Sequence, residues 1–169
     1  MSAQRQQRKL NNLAFWAGAG ITLLLVTGLP QPPPGRAATT ELIVVDPNRG
    51  LALSGFDPVG YFTDARPLLG RDDMELSFAG ATWRFRNEGN RAAFVANLEV
   101  YLPVFGGYDP VAVARGVATP GHPQIWLISG KRLYLFYDSA ARKTFVSAPE
   151  ATAMMAEKKW PAVLQTISP

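Results

Sequence analysis

The reading of this chain turns on two short stretches, "GFDPV" at residues 55–59 and "GYDPV" at 107–111, which lie 52 residues apart. The match continues outward. "MELSFAGATWRF" at 74–85 lies over "IWLISGKRLYLF" at 125–136, at an offset of 51. At that same offset Arg91, Phe94, Val95 and Glu99 lie over Arg142, Phe145, Val146 and Glu150. One residue of slippage over this length is a single small gap. The chain therefore reads as two copies of one unit, about 51–101 and 103–150. A repeat of this size changes the fold expected, because each copy has one apolar face to bury and the other copy is at hand to cover it. The expectation is a small α+β domain over 39–169, with two pseudo-symmetric hairpin–helix units around one shared hydrophobic interior.

Within a unit the local signals agree. Asp57-Pro58 and Asp109-Pro110 each place an oxygen acceptor before a proline, which predicts a short helix with the aspartate as cap and the proline in its first turn. Met74, Leu76 and Phe78 alternate with polar residues, Ala79-Gly80 turns the chain, and Trp83 and Phe85 alternate with Arg84 and Arg86. That is the pattern of a β-hairpin. Asn87 then caps a helix with Ala92, Ala93, Phe94 and Leu98 as its buried stripe. Thr40–Val45 reads as a short edge strand stopped by the turn at 46–50. A last helix is expected over 149–168, opened by a capping box from Ser147 to Glu150 and broken or kinked at Pro161. Its apolar face would be Met154, Trp160, Leu164 and Ile167.

The charge of +4 is local. Four of the 17 basic residues, Arg5, Arg8, Lys9 and Arg36, fall in residues 1–38, where there is no acid; the rest has 13 basic against 13 acidic residues. The domain thus has no electrostatic reason to hold a phosphate backbone, and nucleic acid is not an expected partner. Residues 1–38 follow the order of an export signal: basic start, uncharged apolar run from Leu13 to Leu29, then Pro30, Pro32–Pro34 and small residues at Ala37 and Ala38. Seventeen apolar residues span roughly 26 Å as a helix, close to a bilayer core. Two outcomes stay open, a cleaved signal peptide and an anchor kept in the inner membrane by residues 13–29. Either way the expected location is periplasmic or exported.

The chain has no cysteine and one histidine. This excludes disulfides, thiolate zinc sites, iron–sulfur clusters and cysteine nucleophiles. No cofactor is expected.

Taken together, "SGFDPVGYF", "GATWRF", "NRAAFVANLEVY", "GGYDPVAVARG", "GHPQIW", "KRLYLFY" and the ending "KKWP" resemble the YHS domain family, in particular its exported bacterial members. The resemblance covers about 50–160. It implies a small α+β module of a kind often linked to heavy-metal handling, with cysteines in "DPVC" and "YFCSxxC" arrangements as the metal contacts. Here those positions are Gly60, Arg86 and Asn90 in the first unit and Ala112, Tyr137 and Ala141 in the second. Asp109 stands where the exported members often carry a cysteine after "GGY". Copper(I) and mercury need soft ligands, so the implied metal chemistry has no donors in this chain.

Five side chains are candidates for ligand binding: Asp57, Tyr61, Tyr108, Asp109 and His122. The two aspartates, paired by the repeat, are either oxygen ligands for a hard cation or helix caps, and capping is the reading favoured. Tyr61 and Tyr108 beside them either line a small aromatic pocket or pack in the core. His122, between Gly121 and Pro123, is read chiefly as a solvated loop residue. Asp72, Asp73 and Glu75 invite a paired-carboxylate reading but sit in an exposed turn. No catalytic residue is assigned. The function expected is an exported, non-catalytic YHS-type binding or accessory module for a small ligand, a metal ion or an envelope partner. The alternatives are an enzyme built on an Asp57/Asp109/His122/Tyr61 cluster and a purely structural subunit of an envelope complex.

Overall fold

The computed structural model describes residues 43–167. The expected signal or anchor segment and the first half of the Thr40–Val45 strand lie outside the described residues. At Val45 there is a single bridge to Ala52.

The described chain is mixed helix and strand. In order the elements are α1 (Gly60–Thr63), β1 (Glu75–Phe78), β2 (Ala81–Arg84), α2 (Glu88–Ala96), α3 (Leu98–Tyr101), α4 (Pro110–Ala114), β3 (His122–Ser129), β4 (Arg132–Phe136), α5 (Ser139–Ser147) and α6 (Pro149–Ile167). The strands form two antiparallel hairpins, β1–β2 and β3–β4. Each hairpin turns on two residues with positive φ, Ala79 and Gly80 in the first and Gly130 and Lys131 in the second. Such primed turns match the right-handed twist of the strands they join.

The same bonds recur 51 or 52 residues on. The Asp57 N–H donates to the Leu68 carbonyl, and the Asp109 N–H to that of Thr119. Gly70 N–H donates to Gly55 O, and Gly121 N–H to Gly107 O. Asn87 caps α2 by accepting from the Asn90 N–H, and Asp138 caps α5 by accepting from that of Ala141. Trp83 and Phe85 pack on Phe94 with ring centroids 4.9 and 5.3 Å away, and Tyr134 and Phe136 pack on Phe145 at 4.8 and 5.3 Å. Even the strained backbone repeats: Leu53, Ser54 and Gly55 all have positive φ, as do Phe105, Gly106 and Gly107. A left-handed non-glycine residue costs about 1–2 kcal/mol. Leu53 and Phe105 meet that cost by being buried.

The interior departs from the expectation of one shared core. There are two clusters. One gathers Trp83, Phe85, Phe94, Tyr61 and Val59. The other gathers Phe105, Val111, Tyr134, Phe136, Phe145 and Trp160. Strand β4 divides them: Leu133 and Leu135 enter the first cluster while Tyr134 and Phe136 enter the second. A strand buried on both faces reads as a continuous apolar run, as Leu133–Phe136 does. The first hairpin is covered on one face only, with Ala81 and Trp83 buried and their neighbours half-buried. These aromatic clusters carry the stability. Each fully buried large side chain contributes about 1.5–3 kcal/mol, against about 0–1 for an exposed ion pair such as Arg91–Glu88.

Several local expectations are corrected. Ala92 is exposed, and only Phe94 of the expected α2 stripe is fully buried. The helix stops at Ala96, so Leu98 belongs to α3. Ser147 makes no capping box: its hydroxyl donates back to the Thr144 carbonyl, closing α5 rather than opening α6. Helix α6 runs through Pro161. The residue is exposed, so water can serve the carbonyl that the proline leaves without a donor. The buried face of α6 is Ala156, Trp160 and Val163; Met154 points outward at 70% exposure. Among the described residues no helix is long and apolar enough to cross a membrane.

Candidate functional site

The two repeated aspartates are buried, Asp57 at 0% and Asp109 at 2% exposure. In each, one carboxylate oxygen holds the helix start and the other holds the end of the hairpin. Asp57 Oδ1 accepts from the Val59 N–H at 2.9 Å. Its Oδ2 accepts from the Arg86 N–H at 2.8 Å and from the Asn90 carboxamide at 2.6 Å. Asp109 Oδ1 accepts from the N–H groups of Val111 at 2.8 Å and Ala112 at 3.4 Å. Its Oδ2 accepts from the Tyr137 N–H at 2.9 Å. For Asp109 these are cap bonds extended into a clamp that closes α4 onto β4; Asp57, expected as the cap of α1, lies ahead of its Val59 N-cap and makes the corresponding clamp between the turn leading into α1 and the end of β2. Among the described residues no group of three or more His, Cys, Asp or Glu side chains is placed to hold a metal ion.

Tyr61 is 1% exposed and joins the two halves. Its hydroxyl donates to the Pro123 carbonyl at 2.9 Å, and its ring meets that of Trp126 edge-on at 5.3 Å. Burial, with the charge of Asp57 adding to it, pushes the hydroxyl well above a tyrosine's ordinary range. Stability should therefore fall on the alkaline side. An unfolded tyrosine ionises near pH 10, whereas folded Tyr61 keeps its proton far beyond that. The contribution is full below pH 10 and is lost above it at up to about 1.4 kcal/mol per pH unit. Tyr61→Phe should cost about 1 kcal/mol at pH 7 from the lost hydrogen bond. It should also flatten the fall in stability between pH 10 and 11.5, as read by denaturant melts. An equal slope in both proteins would show that Tyr61 is not the group responsible.

The other candidates have partners of their own. The Tyr108 ring packs against Trp160, with centroids 5.8 Å apart, and partial burial raises its hydroxyl. His122 is exposed at the start of β3, and its Nδ1 accepts from the Gln124 N–H at 3.2 Å. It hydrogen-bonds to neither aspartate. The acidic turn is spent on arginines: Asp73 pairs with Arg71 and Glu75 with Arg84 across the hairpin.

Beside Asp109 lies an open cleft of about 350 Å³. Its walls include Ala112, Arg115, Tyr137, Asp138 and Ala141. Three of these, Ala112, Tyr137 and Ala141, are the positions at which the family resemblance implies cysteines. Tyr137 is 62% exposed at the cleft edge. Sequence reasoning assigned no role to Tyr137, Asn90 or Ala141. The signal was their place in the repeat, but it has meaning only once Asn90 is seen to touch Asp57. A second open cleft, of about 400 Å³, runs along Gln124–Leu127 to Arg142, whose Nε donates to the Trp126 carbonyl at 2.9 Å. A smaller pocket of about 140 Å³ lies between the two left-handed turns, against Leu53, Ser54, Gly106 and Gly107.

No family model matches the chain, and neither any curated protein nor any solved structure matches it significantly.

Proposed function

We propose that this chain is an exported, non-catalytic binding or accessory module of YHS type, and that its ligand site is the cleft beside Asp109. The observation that carries the reading is the gathering of Ala112, Tyr137 and Ala141 around one buried carboxylate, in a cleft large enough for a small molecule. The recurrence of the same bonds 51 or 52 residues apart supports the pseudo-twofold module. The basic-then-apolar order of residues 1–38 supports export to the periplasm, with anchoring in the inner membrane if the segment is kept. The non-catalytic reading draws on the roles of the candidates. Asp57 and Asp109 are engaged by backbone donors, Tyr61 by the Pro123 carbonyl, and His122 hydrogen-bonds only the Gln124 N–H.

The test is a titration of the full-length chain with magnesium, calcium and copper(II) ions and with a panel of small organic cations, anions and amides. It is followed by tryptophan fluorescence and melting temperature. A ligand at ten times its Kd should add about 1.4 kcal/mol, or about 5 °C in melting temperature. The shift should be lost in Tyr137→Ala. Absence of any shift across the panel would remove the binding reading and leave that of a structural envelope subunit. A shift with divalent ions alone would make the ligand a hard cation.

A further inference from the structure

The two halves differ at one position beside their aspartates, and the difference opens a vacancy. In the first half the Asn90 carboxamide donates to Asp57 Oδ2, which also accepts from the Arg86 N–H. The residue equivalent to Asn90 in the second half is Ala141, which has no donor to offer. Asp109 Oδ2 is left with the Tyr137 N–H alone, although a carboxylate oxygen has room for two donors. The cleft lies at this place, with both Asp109 and Ala141 in its wall. None of the ion pairs among the described residues involves Asp109. A buried carboxylate without a cationic partner favours a donor that brings positive charge.

From this geometry we infer that the cleft takes a primary ammonium group, which occupies the place held in the first half by the Asn90 carboxamide and donates to Asp109 Oδ2. The inference rests on the cleft being the ligand site and names the chemistry of the ligand. Tyr137 lines the same cleft, within reach of a cation–π contact with the bound ammonium. Asp138 in the cleft wall adds negative charge, and Arg115 is the one base there. A neutral carboxamide has the same N–H donors but brings no charge to the buried oxygen.

The experiment uses the full-length chain labelled with ¹⁵N and titrated with n-butylammonium, with propanamide and butyrate as comparators. The amide signals of Tyr137 and Ala141 report on the site. The expected result is a saturating shift with n-butylammonium, with a Kd on the order of millimolar for so small a probe. Propanamide should bind at least about tenfold more weakly and butyrate not at all. Ala141→Asn supplies the missing donor from within and should abolish the shift while raising the melting temperature by about 5 °C. Ala141→Leu blocks the same space without a donor and should abolish the shift alone, so the result does not depend on one variant folding. Ammonium binding that survives in both variants overturns the placement. Propanamide or butyrate binding as well as n-butylammonium overturns the ammonium class while leaving the cleft a binding site. Silence from all three probes overturns the ammonium inference, and the broader panel then decides whether the cleft binds anything.

Discussion

Asp57→Ala should lower the melting temperature by about 15–20 °C. The substitution leaves three donors without an acceptor inside the protein: the N–H groups of Val59 and Arg86 and the carboxamide of Asn90. A hydrogen bond to a charged group is worth about 1.5–3 kcal/mol, and losing these three, one buried and two part-buried, costs about 4–6 once some relaxation is allowed. A domain of this size is stable by only about 6–15 kcal/mol. Asp57→Asn should cost about half as much, because the amide oxygen can keep two of the donors while its NH₂ group opposes the third. Asp109→Ala should cost less than Asp57→Ala, since one of its three bonds is long, at 3.4 Å. Thermal melts of the three variants check this order. A fall of less than 3 °C for Asp57→Ala would mean that the carboxylate does not clamp the turn leading into α1 to the end of β2.

Gly121→Ala and Gly70→Ala should each cost at least about 3 kcal/mol, the upper end for an overpacked site. A Cβ on Gly121 would stand 2.6 Å from Leu135 Cβ and 2.8 Å from the Gly107 carbonyl oxygen. On Gly70 it would stand 2.5 Å from the Arg84 carbonyl carbon and 2.7 Å from its oxygen. These neighbours are backbone or the root of a side chain, so no rotamer change relieves the clash. Either the loop leaves the strand, breaking the Gly121–Gly107 or Gly70–Gly55 hydrogen bond, or the strand shifts and disturbs the core. Gly80→Ala is the control. Its φ is +74° and the space around it is open, so it should lose only about 1–2 kcal/mol of backbone preference. Denaturant midpoints for the three variants suffice. Equal losses for Gly80 and Gly121 would remove the steric argument.

The repeated Gly-aromatic-Asp-Pro-Val start is legible because capping needs those residue types; Asp109 caps α4 as its neighbours suggest, whereas α1 begins later, at Gly60 behind Val59, and Asp57 holds the Val59 N–H just ahead of it. The first hairpin turn is legible for a similar reason, since Ala79-Gly80 interrupts a clean alternation, and the repeat carries the hairpin over to the continuous apolar runs around Gly130-Lys131. Three features are not. Leu53 and Phe105 adopt left-handed backbone without any residue-level signal, because burial rather than propensity holds them there. Met154 is apolar yet points outward, because it lies about 120° around the helix from Trp160, and α6 turns Ala156, Trp160 and Val163 toward the core instead. The Asn90–Asp57 contact joins residues 33 positions apart, and no local pattern shows that Ala141 then leaves its own aspartate short of a donor.

Strand β4 belongs to both aromatic clusters at once, and this has a consequence for how the molecule comes apart. A solitary first copy would leave Trp83 and Phe85 without the leucines that complete their surroundings. The two copies should therefore unfold together, in a single thermal transition.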